Sequence, residues 1–263
     1  LDSATQPRYN ALIPLKDGEG NPLTAPQFKK NYKQKLRKYL GNFQPARGLF
    51  YESADHSAES IALFKKILSN TEARQNISLR NEDYFNLLAE AFGNKAHFAF
   101  EKCRVNDYIS NLEARYEKEP ENREKLTEQL SDARNVLAQK GEIVPLAALL
   151  TVYPPNTQGV KIAEYLYAGS DLTVFPSFCA TLCGLCEQCL LTVEKDCDFL
   201  NLGGVPGTFD DGLYDFKSPF NPIIVEFAGE FDLPINKIKY IIMEKWLPTF
   251  KKIYLRLTRL IKK

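Results

Sequence analysis

The sequence predicts an all-α protein, a multi-helix bundle, on three observations. Apolar residues recur at helical spacing through two long segments, about 95–118 and 121–140, which break at Pro120 and stop at Gly141. The cysteine-rich stretch from Phe178 to Val193 reads as one continuous helix. The apolar centre of the chain begins at Glu142-Ile-Val-Pro145, where proline suits a first helical turn. It ends at Pro154-Pro155, which cannot continue a helix.

Taken in order, residues 1–22 are polar, with a turn at Asp17-Gly-Glu-Gly20-Asn-Pro, and read as loop. A helix follows from about Thr24 to Leu40, with Phe28, Tyr32, Leu36 and Tyr39 on one face and Gly41 closing it. Its other faces carry Lys29, Lys30, Lys33, Lys35, Arg37 and Lys38, which reads as a solvated face or as a patch for anionic lipid or nucleic acid. Ser57–Ser69 places Ile61, Phe64 and Leu68 inward. The helix after Asn81 buries Tyr84, Leu87, Leu88 and Ala91 and ends at Gly93. The two long helices then carry Phe98, Val105, Tyr108, Leu112 and Tyr116, and Leu126, Leu130, Ala133 and Leu137, as an antiparallel hairpin. Beyond the central helix a further one starts near Asn156 or Thr157 and buries Val160, Ala163, Leu166 and Tyr167. Residues 198–222 are rich in Gly, Pro and Asp, an irregular excursion of the kind that carries function. Two or three helices finish the chain, capped at Asn221-Pro222. Three segments result: a helical bundle over 1–94, a helical domain over 95–205, and C-terminal helices over 206–263.

The 263 residues suffice for one large core or two smaller packed units, and 44% hydrophobic with 25% charged is ordinary for a globular chain. Lys plus Arg (34) nearly cancels Asp plus Glu (33), so the overall field favours neither nucleic acid nor membrane. No apolar run reaches 18 residues, so no transmembrane helix is read, and no basic-then-apolar start marks a signal peptide. Five of six cysteines crowd between 179 and 197, too tightly on one helix to pair, which suggests a reducing compartment.

Two constellations invite chemistry. Cys179-x3-Cys183-x2-Cys186 has the spacing of a radical cluster motif, and Cys197 offers a fourth ligand for zinc. On a helix, however, Cys179, Cys183 and Cys186 share a face with Leu182, Leu190 and Val193 and act as small hydrophobes. No metal or cofactor is assigned. Ile224–Ile242 fits a helix-turn-helix, with Phe227, Ala228, Phe231 and Leu233 packing the first helix and turn. Its second helix would present Asn236, Lys237 and Lys239.

A set of landmarks runs Pro120-Glu-Asn-Arg-Glu-Lys-Leu126, Pro145, Pro154-Pro155-Asn156, Glu164-Tyr165-Leu166, then Ala180-Thr181-Leu182-Cys183. Their order over about 95–200 resembles the vacuolar protein sorting nine domain, a guanine nucleotide exchange factor for early-endosomal Rab GTPases. The resemblance implies an acidic finger that competes for the GTPase lysine and Mg²⁺. Glu142 fills it, or a loop acid such as Asp196, Asp198 or Asp211, because Gly141 stands where the family has aspartate. It also implies that Pro145 aims the acid, and that Leu146, Leu149, Val160 and Tyr165 grip the GTPase with Ser177 and Thr181. The implied partners are a Rab GTPase and an anionic membrane met through Lys29, Lys33 and Arg37, with no nucleic acid and a monomeric chain. The implied setting is vesicle trafficking: a cytoplasmic protein, or an effector in a host cytosol or at an endosomal membrane. A helix-turn-helix nucleic-acid binder and a non-catalytic helical scaffold are the alternatives.

Overall fold

The computed structural model describes residues 9–38, 40, 45–155, 159–206, 212–226 and 233–247. Its frame is a seven-stranded sheet, which corrects the all-α bundle. The strands are β1 (Tyr9–Pro14), β2 (Leu49–Ala54), β3 (Ala96–Arg104), β4 (Ile143–Val152), β5 (Ile162–Ser170), β6 (Phe199–Val205) and β7 (Ile223–Glu226), in the order β2-β3-β4-β5-β6-β1-β7. Every neighbouring pair is antiparallel except β5 and β6, which are parallel and joined through a helix, as a parallel pair requires.

The central segment misleads because β4 is covered on both sides. Leu149 packs into one core cluster and its neighbour Leu150 into another, so successive side chains leave opposite faces and both are buried. Ile-Val-Pro-Leu-Ala-Ala-Leu-Leu-Thr-Val therefore shows no polar alternation, and an apolar run of that kind cannot be told from a buried helix by period. Pro145 sits opposite Lys102 at the one register shift between β3 and β4, where a missing N–H interrupts the ladder least. The expected helix through Val160–Tyr167 is β5, and the first long helix begins only at Val105, its start being β3.

Where local signals were strong the helices stand. Ser57 and Asn81 accept the Ser60 and Tyr84 amides and so cap α3 (Ala58–Gln75) and α4 (Glu82–Phe92). Leu87 and Ala91 face solvent, however, and Phe85 and Ala89 are buried beside Leu88. α5 (Val105–Lys118) and α6 (Arg123–Lys140) form the hairpin, closed by Gly141 in a positive-φ conformation. The first basic helix is two short ones, α1 (Ala25–Asn31) and α2 (Gln34–Lys38), burying Phe28, Tyr32 and Leu36. Tyr39 and Gly41, assigned to it, lie outside the described residues, as do Asn156 and Thr157.

α3 and α4 cover one face of the sheet, while α1, α2 and α7 (Ala180–Glu194) pack in the cluster on the other. Contact is close on both sides. A Cβ on Gly169 of β5 would lie 2.8 Å from the Leu68 Cα of α3, and one on Gly184 of α7 would lie 2.9 Å from Leu149 Cδ1. Cys183, Cys186 and Cys189 are buried on α7 as free thiols, and burial pushes Cys183 and Cys189 up to about 12. Thr5–Phe227 forms this compact unit. Residues from Ala228 belong to a second, in which α9 (Lys237–Ile241) runs into a π turn at Ile242–Trp246. The helix-turn-helix does not form as read, because its first helix would start in β7, which pairs with β1. Residues 227–232 of it lie outside the described residues.

Candidate functional site

The sheet opens between its two parallel strands. β5 and β6 pair only over Ile162–Glu164 and Phe199–Asn201; beyond these, among the described residues, they share no ladder. β5 continues along β4 to Ser170, and β6 continues along β1 to Val205. Local chemistry explains the parting. The Asn201 side chain accepts the Gly203 amide at 2.9 Å and donates to Glu164 at 2.9 Å, while Gly203 takes a φ of 79° that few side chains tolerate. The β1–β6 register shifts at this point, as a bulge does when it re-aims a strand.

α8 (Gly212–Lys217) closes on the open end. Lys217 is 4% exposed, and its ammonium donates to the Gly204 carbonyl at 2.6 Å. A cation so deep is costly in the fold unless its surroundings compensate it. Phe216, the preceding residue, forms one wall of a pocket of about 180 Å³ whose other walls include Leu146, Asp171, Phe175, Cys179 and Thr181. Phe175 and Cys179 both hold left-handed φ values, 46° and 54°, on either side of the short turn that starts α7. Two non-glycine residues in that region mark a backbone bent at a cost.

Two carboxyls flank the site. Burial pushes Glu164 up, against the pull of the Asn201 amide. Burial also pushes Asp171 up, but the Thr173 hydroxyl and amide, with Lys140 at 3.5 Å, outweigh it and leave Asp171 low. The arrangement therefore offers a buried cation, a carboxyl inclined to hold a proton, and a small, largely apolar pocket. Such a set can bind an acyl group, meet a developing negative charge, and move a proton.

Of the residues picked out from the sequence, the structure brings Leu146 and Thr181 to this pocket and scatters the rest. Glu142 is exposed at the turn into β4, where its carbonyl accepts the Val105 amide, and Pro145 lies inside the strand and aims nothing. Leu149 is wholly buried beneath Gly184 and unavailable to a partner. Val160 and Ser177 are exposed, the latter with its carbonyl bound to Arg47, and Tyr165 points its hydroxyl into the core. Asp196 and Asp198 are held by Lys16 and, through its ammonium and amide, Lys161; Asp211 lies outside the described residues. Lys217, Phe216, Gly203 and Glu164 were not foreseen. Gly203-Gly204 and Tyr214-Asp-Phe-Lys217 sit in the stretch flagged as irregular, the one signal that pointed here.

A model of the FemAB family matches residues 1–136 and 120–246. Aminoacyltransferase FemB of Staphylococcus epidermidis is 25% identical over 268 residues, covering 91% of this chain and 61% of its own. Aminoacyltransferase FemA of Staphylococcus aureus is 23% identical over 276 residues, with the same coverages. The chain thus spans about three fifths of the length of these curated relatives. The crystal structure of FemX superposes with a TM-score of 0.68 at 20% identity, over 92% of this chain and 65% of that one, and shares its fold.

These findings overturn the vacuolar protein sorting nine resemblance, two of whose landmarks, Pro145 and Glu164-Tyr165-Leu166, fall on strands. The Rab partner, the exchange activity, the endosomal setting and the nucleic-acid alternative go with it. So does the membrane role given to Lys29, Lys33 and Arg37, exposed on α1, between the helices and on α2. A host cytosol does not fit bacterial relatives, though the coarser cytoplasmic placement stands. With its sequence matched along most of its length, the chain belongs to the FemAB family.

Proposed function

We propose that this chain forms part of an aminoacyltransferase that joins an activated amino acid to an amine on a peptidoglycan precursor. The observation that carries the reading is Lys217, a buried ammonium at the open end of the β5–β6 cleft beside an acyl-sized pocket. In such a transfer the amine nitrogen attacks the ester carbonyl carbon, and the C–N bond forms as the C–O bond breaks. The amine loses one proton and the leaving oxygen gains one. Negative charge gathers on the carbonyl oxygen in between, and a fixed ammonium in a low-dielectric site lowers the energy of that state. Glu164, inclined by burial to hold a proton, has the chemistry to take the amine's. Gly203 and Gly204 leave the backbone bare where substrate must approach.

The test is Lys217→Met in the whole protein, with amino-acid transfer to the precursor amine followed by mass spectrometry. The rate should fall by about 10²–10³, the usual result of removing one group that faces a developing oxyanion. Urea unfolding run alongside separates folding from transfer, since leaving the Gly204 carbonyl without its donor by itself costs about 1–3 kcal/mol. Transfer at the wild-type rate in a folded Lys217→Met protein would remove Lys217, and the reading with it.

A further inference from the structure

The acyl pocket holds a charge that acyl transfer by itself does not need. Among the described residues lining it, Asp171 alone is charged at neutral pH; Leu146, Val174, Phe175 and Phe216 are typical of the rest. The Asp171 side chain is only 15% exposed, and an ion so placed is costly unless other groups compensate it. Its own turn serves one oxygen: Oδ1 accepts the Thr173 amide at 2.9 Å and the Thr173 hydroxyl at 2.5 Å. The other is served loosely. Among the described residues Oδ2 meets the Lys140 ammonium at 3.5 Å, well beyond the roughly 2.7–2.9 Å of a good charge-assisted bond.

Lys140 also approaches from elsewhere. It lines an adjoining cleft with Lys66 and Asn70, and Asp171 borders both that cleft and the pocket. A carboxylate oxygen accepts more than one donor, so Oδ2 keeps capacity for a cation on the pocket side. The neighbouring Ser170 is already engaged: Arg74 takes its carbonyl and hydroxyl, and its amide donates to Thr71. Asp171 follows the last residue of β5, while Lys217 is fastened to Gly204 of β6, so the two stand on opposite lips of the parting between these strands.

From this arrangement we infer that Asp171 binds the α-ammonium of the amino acid being transferred, and so makes the pocket select α-amino acyl groups over plain acyl groups. The inference rests on the aminoacyl-transfer reading. An activated amino acid presents a carbonyl and, one carbon away, an α-amine that titrates near about 7.7–8.0 and is therefore mostly cationic at neutral pH. With the carbonyl oxygen turned to Lys217, the ammonium falls toward the opposite lip, where a carboxylate waits. Charge complementarity in a dry pocket makes such a contact strong, and an acyl group without the amine leaves Asp171 unanswered there.

Cys179 lines the same pocket, so an ester seated there shields its thiol from iodoacetamide, a readout that requires no transfer. Alkylation of Cys179 in the full chain is followed by mass spectrometry at neutral pH. The probes are alanine methyl ester and methyl propanoate, which lacks only the α-amine. Alanine methyl ester should protect at a concentration about ten- to a hundredfold lower, the gain that a hydrogen bond between charged groups confers. Asp171→Asn keeps the size of the side chain and its acceptor for the Thr173 amide, and should bring the two esters within about threefold. Lys140→Met removes the neighbouring cation and should keep the preference; its loss there would mean that the ion pair only holds the pocket's shape, and would overturn the inference. Equal protection by the two esters in the wild type, protection by neither, or a preference that survives Asp171→Asn overturns it as well. The aminoacyltransferase reading stands or falls separately, on transfer to the precursor amine.

Discussion

Acid should destabilise this protein sooner than its carboxylates alone require, because of His97. Its ring lies on β3 in a buried chain of polar groups that runs through Tyr51 to Gln188 on α7 and on to Tyr153. Tyr51 has one hydroxyl proton and donates it to Gln188 Oε1 at 2.6 Å. His97 Nε2, 3.0 Å from the same oxygen, is therefore the donor in that contact. Burial first, then the charges of Lys195 and His56, push the imidazolium down to about 4. An unfolded histidine titrates near 6.5. The folded value lies below the unfolded one, so between them the unfolded chain binds the proton that the folded chain refuses. Stability is then intact above about pH 6.5, declines through the window, and has lost the whole contribution below about pH 4. A gap of about two and a half pH units corresponds to roughly 3 kcal/mol, a large share of the 5–15 kcal/mol that holds a typical domain folded. His97→Gln keeps a donor toward Tyr51 and removes the titration. Urea unfolding followed by circular dichroism, at about pH 7 and about pH 4.5 on both proteins, isolates the effect from the carboxylates common to them. The wild type should lose about 2–3 kcal/mol more than the variant between these conditions. Equal losses in the two would refute the assignment.

Packing and thiol chemistry supply two further outcomes. Gly169→Ala should destabilise the fold by about 1–3 kcal/mol, because its new Cβ meets the Leu68 backbone at 2.8 Å and α3 cannot yield as a side chain would; a melting temperature equal to wild type would show that β5 and α3 are less tightly apposed. Of the six free thiols five are buried, and only Cys179, half-buried at the pocket, should react quickly with a thiol reagent near neutral pH. All six should react in denaturant, and fast modification of Cys186 or Cys189 in the native protein would contradict the core described here.

What the sequence by itself determined is whatever is encoded within one or two turns of chain. Ser57 and Asn81 cap helices through their own side chains, Gly93 and Gly141 end them, and the α5–α6 hairpin carries its stripe in adjacent turns. The pocket was legible only in part, through Leu146 and Thr181 and through the irregular stretch that holds Gly203 and Lys217. The sheet was decided elsewhere. β4 is covered on both faces, so its burial erases the two-residue alternation that would have announced it, and the β3–β4 ladder joins residues about forty to fifty-six apart, as Val144 meets Cys103 and Ala96 meets Val152. Lys217 shows the limit most clearly. Nothing in Tyr-Asp-Phe-Lys distinguishes it from a surface lysine. It becomes a buried cation only because a bulge at Gly203 parts β6 from β5 and α8 folds over the gap, a placement that exists only once distant segments have met.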